Sequence, residues 1–215
     1  MIDILNYDSY LFDLDGTLVT SEKIKGEALI NVCLSSGCSA SLSDYKQVMG
    51  GSWEKVRDHF YEVSKIKISF NEFDEIFKTY YKEGISKNVV ATKGALDFIN
   101  FLKSNHKKMG LVTSANRWMA EEILETINFS KIFDVMVTRE NVSKHKPEPD
   151  AYQLAIKLLN SSVKRALVFE DSSPGIESGK SAGCAVIVIR HDFNALQNFS
   201  NANLVIDDFY DLLDQ

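Results

Sequence analysis

Hydrophobic and polar positions along the chain fall into two textures. Over residues 20–90 the apolar positions keep helical spacing. From Glu22 to Ser35, the residues Ile24, Ala28 and Val32, with Leu29 and Cys33, form an i, i+4 stripe. Trp53, Val56, Phe60 and Val63 repeat it behind Ser52, a residue suited to capping a helix N-terminus. Phe73, Ile76, Phe77, Tyr80 and Tyr81 repeat it once more, and the interruption at Lys65–Phe70 is too short to define a sheet. This stretch predicts a small helical bundle.

On either side of it, short apolar runs alternate with amphipathic ones. Tyr10–Phe12, Lys108–Ser114, Phe133–Thr138, Ala166–Glu170 and Ala185–Arg190 have the character of buried parallel strands. Between them lie three helical stripes. One carries Ala95, Phe98, Ile99 and Leu102, and a second carries Met119, Ile123 and Ile127. The third, after Pro149, carries Tyr152, Ala155, Ile156 and Leu159. Repeated βα units predict an α/β fold: a Rossmann-like, doubly wound parallel sheet core with an inserted α-helical bundle as a cap. Residues 1–19 and 91–215 form the core in this reading and residues 20–90 the cap, joined by linkers at 17–25 and 84–94. Both linkers leave one edge of the sheet, so the cap is expected over the strand ends, where such sheets bind ligands.

Composition narrows the function. Of the 215 residues, 45% are hydrophobic and 25% charged, as in an ordinary globular protein, and the length suits one sizeable core with a smaller module. No apolar run approaches the roughly 20 residues that span a bilayer. Residues 1–8 lack a basic segment followed by a long apolar one, which argues against a secretory signal. Three cysteines (Cys33, Cys38 and Cys184) have no metal-ligand spacing and read as reduced thiols. A cytoplasmic protein with no membrane partner is expected. The net charge of −6 speaks against a nucleic-acid surface, which would need a basic stripe. Residues 20–90 contain 10 basic and 10 acidic residues, so the rest of the chain carries all of that charge.

The candidate chemistry sits where strands end. Asp13 and Asp15 lie two residues apart at the end of the first strand, before Gly16, and an extended chain points both to one face. Two anions so close need a cation between them or a proton on one; the plainer alternative is a polar turn. Thr113-Ser114, followed by Ala115-Asn116 and a helix, offers a hydroxyl and free backbone N–H groups to an anion, or simply caps that helix. In Lys144-His145-Lys146-Pro147-Glu148-Pro149-Asp150, a lysine before proline is held extended and can deliver one positive charge, unless the loop is merely solvated. Glu170-Asp171, closing an apolar strand before Ser172-Ser173-Pro174-Gly175, adds carboxylates of the kind that hold Mg²⁺. Together they describe a carboxylate nucleophile, a metal and an anion-binding shell, the ingredients of phosphoryl transfer. His59, His106 and His145 have no zinc spacing and read as surface residues, and His191 is left uncommitted.

Asp13-Leu14-Asp15-Gly16-Thr17-Leu18, Thr113, Lys146-Pro147 and Glu170-Asp171, in this order, resemble the four motifs of the haloacid dehalogenase superfamily. The helical insertion resembles the subfamily with an α-helical cap, which includes β-phosphoglucomutase and many small-molecule phosphatases. The resemblance spans nearly the whole chain. It implies that Asp13 attacks phosphorus to form an aspartyl-phosphate, and that Asp15 protonates the leaving oxygen and then activates water. It implies phosphate binding by Thr113, Ser114 and Lys146, with Lys144 the alternative lysine. Mg²⁺ would be held by Asp13, the backbone carbonyl of Asp15 and Asp171, with Glu170 behind them.

Asp15 also argues against dehalogenation, because dehalogenases of this superfamily lack that acid. In β-phosphoglucomutase-like sequences a cap histidine would fall at Lys25 and a cap arginine near Trp53. The loop here reads Met49-Gly50-Gly51-Ser52-Trp53-Glu54, and Lys55 and Arg57 are expected on a solvated helix face. Gly50, Gly51 and Trp53 are the candidate specificity residues, with Trp53 either a lid over the substrate or part of the bundle core. The expectation is a Mg²⁺-dependent phosphomonoesterase acting on a small phosphorylated metabolite, as monomer or dimer. Its rivals are a sugar-phosphate mutase, which needs a second phosphate site in the cap, and a response-regulator-like phosphoacceptor, which needs no cap.

Overall fold

β-Branched and aromatic side chains at the expected runs pair into one sheet of parallel strands. A computed structural model describes residues 3–213. Its strands are β1 (Ser9–Phe12), β2 (Lys108–Val112), β3 (Val135–Val137), β4 (Ala166–Glu170), β5 (Ala185–Ile189) and β6 (Leu204–Ile206). They lie in the order β3-β2-β1-β4-β5-β6. This is the doubly wound order, with its reversal beside β1. The strand β6 was not expected: its three apolar residues stand between Asn203 and Asp207, with no longer apolar run around them of the kind that holds β3. β2 also stops at Val112, so Thr113 and Ser114 already belong to the loop beyond the sheet.

Alternation across the strands builds two cores. Phe12 stands opposite Leu111 and Phe169. With Tyr10 it enters the core covered by α5 (Ala95–Ser104), α6 (Arg117–Thr126) and α9 (Tyr210–Leu213). Leu11, Val168, Val186 and Val188 point the other way, under α7 (Asp150–Leu158) and α8 (Ser173–Ser181). The first core is aromatic at its centre. Phe12 stacks on Phe169 at 4.8 Å, and Phe98 lies 6.3, 5.4 and 5.4 Å from Phe12, Phe169 and Phe209.

Between β1 and α5 the chain forms α1 (Glu22–Ser35), α2 (Leu42–Lys46), α3 (Trp53–Ser64) and α4 (Phe70–Asn88). Ser52 and Ser69 cap α3 and α4 by accepting hydrogen bonds from the Lys55 and Glu72 amides. Lys65 ends α3 in a left-handed conformation. α1 packs along α4, and α4 also touches α6. The second linker starts later than expected, because α4 runs through Gly84 to Asn88 and a Cβ at Gly84 would overlap Ile24 of α1. The outgoing and returning segments lie side by side. Thr20 N–H donates to Val90 C=O at 3.0 Å and Thr92 N–H to Leu18 C=O at 2.8 Å.

Removing the ring shared by both sheet aromatics and α9 tests this core. Phe98→Ala is expected to cost roughly 3–5 kcal/mol of unfolding free energy, read from urea denaturation.

Candidate active site

Asp13 follows β1 directly, and its N–H donates to Phe169 C=O at 2.9 Å, so the residue is fixed against β4. Thr113 follows β2 and is fixed in the same way, by donation to Val137 C=O at 2.9 Å. Glu170 ends β4 and Asp171 follows it. The loop before α7 brings in Lys146, whose ammonium donates to Asp13 Oδ1 at 2.5 Å, Glu170 Oε1 at 2.6 Å and Val112 C=O at 3.0 Å. Lys146 is buried and Lys144 is exposed, so the structure brings Lys146 alone of the two to the carboxylates.

Glu170 is fully buried, and each of its oxygens is occupied. Oε1 also accepts from Tyr152 Oη at 2.7 Å. Oε2 accepts from the Asp171 N–H at 3.1 Å and the Ser172 hydroxyl at 3.2 Å. Gly175 closes over it, and a Cβ at that position would overlap the carboxylate. Glu170 therefore acts as an anchor that aims Lys146 at Asp13.

Burial pushes Asp13 well above the ordinary carboxylate range; Lys146 pulls it back and Glu170 and Asp171 push it further. Asp171 is likewise raised, first by burial and then by Glu22 and Glu170. For Lys146, burial works against the charge, but the Asp13 and Glu170 carboxylates outweigh it and raise its pKa. One ammonium thus serves two carboxylates. The remaining partner of Asp171 is His191, with Nε2 2.9 Å from Oδ2, and burial lowers the pKa of that histidine. Carboxylate oxygens of Asp13, Glu170 and Asp171 lie within 4.8 Å of one another. An all-oxygen, anionic cluster with too little positive charge fits a hard divalent cation.

Asp15 is placed apart. Its Oδ1 accepts from Ser21 Oγ at 2.5 Å and Tyr81 Oη at 3.4 Å, and Oδ2 lies 3.3 Å from Lys25 Nζ. The crowding of Asp13 with Asp15 expected from an extended chain is avoided, because β1 ends at Phe12 and the backbone turns through Gly16 at φ +77°. A side chain at Gly16 would also overlap Asp171 and His191. Beyond Asp15, Glu22 is buried and accepts a hydrogen bond from Tyr45. Lys25 sits between Glu22 and Asp15, which raise its pKa against the cost of burial.

Asp13, Asp15, Glu22, Lys25, Lys146 and Asp171 line one cavity, whose walls also include Thr113, Ser114, Asn116, Gly50, Gly51 and Trp53. Thr113 Oγ1 accepts from the Ala115 N–H at 3.0 Å, which leaves its hydroxyl proton for another acceptor. Trp53 packs against the bundle core, with its ring 4.5 Å from Phe77 and its N–H donating to Asp74 at 3.1 Å, and it also lines the cavity.

Several side chains read differently in three dimensions. Arg57 is not solvated but stacks 3.9 Å over the Phe70 ring and faces Asp74 at 3.5 Å, whereas Lys55 is exposed as expected. His106 is exposed, but His59 is half-buried with its Nε2 enclosed, and His145 is half-buried. Lys25, Glu22, His191 and Arg139 reach the site without being singled out from sequence. For Lys25 a signal existed, since it occupies the position where the family resemblance sets a histidine.

A family model described as haloacid dehalogenase-like hydrolase matches residues 10–189. The chain is 32% identical over 176 residues to a phosphorylated carbohydrates phosphatase of Thermotoga maritima, covering 82% of each chain. It is 33% identical over 193 residues to the validoxylamine A 7'-phosphate phosphatase of Streptomyces hygroscopicus subsp. limoneus, covering 88% of this chain and 90% of that one. Among solved structures, CbbY from Rhodobacter sphaeroides in complex with phosphate superposes with a TM-score of 0.88 over 96% of each chain, at 22% identity, a likeness of fold.

Lys146→Met tests the anchor. It strands Asp13 and Glu170 in a buried setting, and a loss of roughly 3–5 kcal/mol is expected in urea unfolding.

Proposed function

The chain belongs to the haloacid dehalogenase-like hydrolase family, and we propose that within it the protein is a Mg²⁺-dependent phosphomonoesterase of small phosphorylated metabolites, phosphorylated carbohydrates first among them. The observation that carries this reading is the division of labour between two carboxylates at one cavity: Asp13 tied to Lys146 beside an acidic cluster, and Asp15 tied instead to Lys25, Ser21 and Tyr81. In this proposal residues 20–90 form a cap over a core of residues 1–19 and 91–215, and the paired linker segments are where the cap joins.

Asp13 is the nucleophile. Its free oxygen attacks phosphorus, the bond from phosphorus to the ester oxygen breaks, and Asp15 gives that oxygen a proton as it leaves. Asp15, now ionised, takes a proton from water; the water oxygen attacks phosphorus, and the acyl-phosphate bond breaks to return Asp13 and free phosphate. Lys146 holds Asp13 in one rotamer and offsets charge on the phosphoryl oxygens, which Thr113, Ser114 and the N–H groups leading into α6 also receive. Asp13, Asp171 and the backbone carbonyl of Asp15 would hold Mg²⁺, with Glu170 behind them. Bound there, the cation supplies the positive charge that lets an anionic nucleophile meet an anionic phosphate. Trp53 stands where a mutase cap would place an arginine, and Arg57 is committed to Phe70 and Asp74, which favours the hydrolase over the mutase.

Asp13→Asn is expected to abolish phosphate release from an aryl phosphate in Mg²⁺ while keeping the circular dichroism of the native protein. Asp15→Ala should slow both formation and hydrolysis of the aspartyl-phosphate, roughly 10²–10⁴-fold. Retained turnover in Asp13→Asn removes that residue as nucleophile. A panel of phosphorylated metabolites assayed for free phosphate separates hydrolase from mutase, since a mutase converts a hexose phosphate with no net release.

A further inference from the structure

One cavity residue has no part in the reaction as described. Arg139 follows β3, in the turn Arg139–Asn141, and its side chain lines the cavity that holds Asp13, Asp15, Ser114 and Trp53. Its position is rigid. The Arg139 N–H donates to Ala115 C=O at 3.1 Å, and Glu140 accepts from the Arg117 N–H at 2.9 Å, so the turn is tied to the loop that carries Thr113. Asn141 closes the turn by accepting from the Thr138 N–H at 2.8 Å. The side chain is 18% exposed, and its guanidinium meets Glu54, in the first turn of α3, through Nη2. It therefore bridges the loop after the edge strand β3 and the helical segment.

The charges of the cavity decide what Arg139 can bind. Each of the three cations lining it has a carboxylate partner: Lys146 has Asp13 and Glu170, Lys25 has Asp15, and Arg139 has Glu54. The hydrogen bond from Arg139 holds Glu54 ionised, lowering its pKa to about 2. A second phosphate or a carboxylate on the substrate would thus meet only cations already neutralised. A hydroxyl group has no such handicap. A guanidinium carries five N–H donors, of which Glu54 takes one, and Trp53 offers an apolar ring face beside it.

The geometry points to Arg139 as a specificity-determining residue that donates hydrogen bonds to the hydroxyls of a neutral, sugar-like leaving group, with Glu54 cancelling its charge so that leaving groups bearing a second anion are disfavoured. This rests on the phosphomonoesterase reading and deepens it. Arg139 reads the part of the substrate that departs, and the fixed turn keeps it at constant distance from the phosphate loop.

The test compares kcat/KM for three substrates in Mg²⁺: an aryl phosphate, a hexose monophosphate and a hexose bisphosphate. In Arg139→Ala the ratio of hexose monophosphate to aryl phosphate should fall about tenfold, mainly through KM, the size of one hydrogen bond to a charged donor. Arg139→Lys, which keeps the charge but loses the fork, should fall between the two. In Glu54→Gln, which unmasks the guanidinium, the ratio of bisphosphate to monophosphate should rise about tenfold. An unchanged hexose-to-aryl ratio in Arg139→Ala overturns the donor role, and an unchanged bisphosphate ratio in Glu54→Gln overturns the masking role. If the unmodified protein releases phosphate from none of the three, the phosphomonoesterase reading is what fails. Calorimetric binding of the two hexose phosphates and inorganic phosphate to the same variants then decides the role of Arg139 by the same ratios.

Discussion

Everything around the site depends on one ammonium shared by two buried carboxylates. Lys146 donates at once to Asp13 and Glu170, and without it both acids would be left buried with no cation beside them. The demand reaches outward. Glu170 needs its second oxygen satisfied, so the backbone turns after β4 to present the Asp171 N–H and the Ser172 hydroxyl. That turn leaves no room for a side chain at Gly175, the third residue of α8. Sheet, loop and helix start are thus set by the satisfaction of a single carboxylate.

The same electrostatics separates the two acids that follow β1. Asp13 looks toward Lys146 and the acidic cluster, while Asp15 looks toward Lys25, Ser21 and Tyr81 on the helical segment. The two carboxylates thus sit in different environments, and Asp15 is held largely by residues of the insertion. The helical segment therefore does more than cover the strand ends. It supplies the partners of Asp15 as well as cavity walls at Gly50, Gly51 and Trp53.

Much of this was legible in the chain. Strands β1–β5 announced themselves because buried parallel strands read as continuous apolar runs, and the helical insertion because its stripes have a period of 3.6 residues. β6 escaped because Leu204–Ile206 is a three-residue apolar run between Asn203 and Asp207, whereas β3 lies inside the longer run Phe133–Thr138. Asp13, Thr113 and Asp171 were legible because each follows a strand directly, and Lys146 because it stands before a proline in a charged loop. Arg139 and His191 were not: each is one polar residue among others in its loop, and only the approach of Glu54 or Asp171 distinguishes it. Arg57 misled for the opposite reason, since its helical position says nothing of the Phe70 ring beneath it.

By itself the sequence determined the order of elements, the parallel sheet, the inserted helices and the strand ends where chemistry gathers, because these follow from local periodicity and from which residues tolerate a turn. Tertiary structure alone decided which charges face each other. The partition of Asp13 from Asp15, the buried triangle of Lys146, Asp13 and Glu170, and the pairing of Arg139 with Glu54 join residues separated by up to 133 positions. Such contacts are fixed by how the sheet twists and where the helical segment settles, and an interaction energy that falls with distance cannot be read from a chain in which distance is not yet defined.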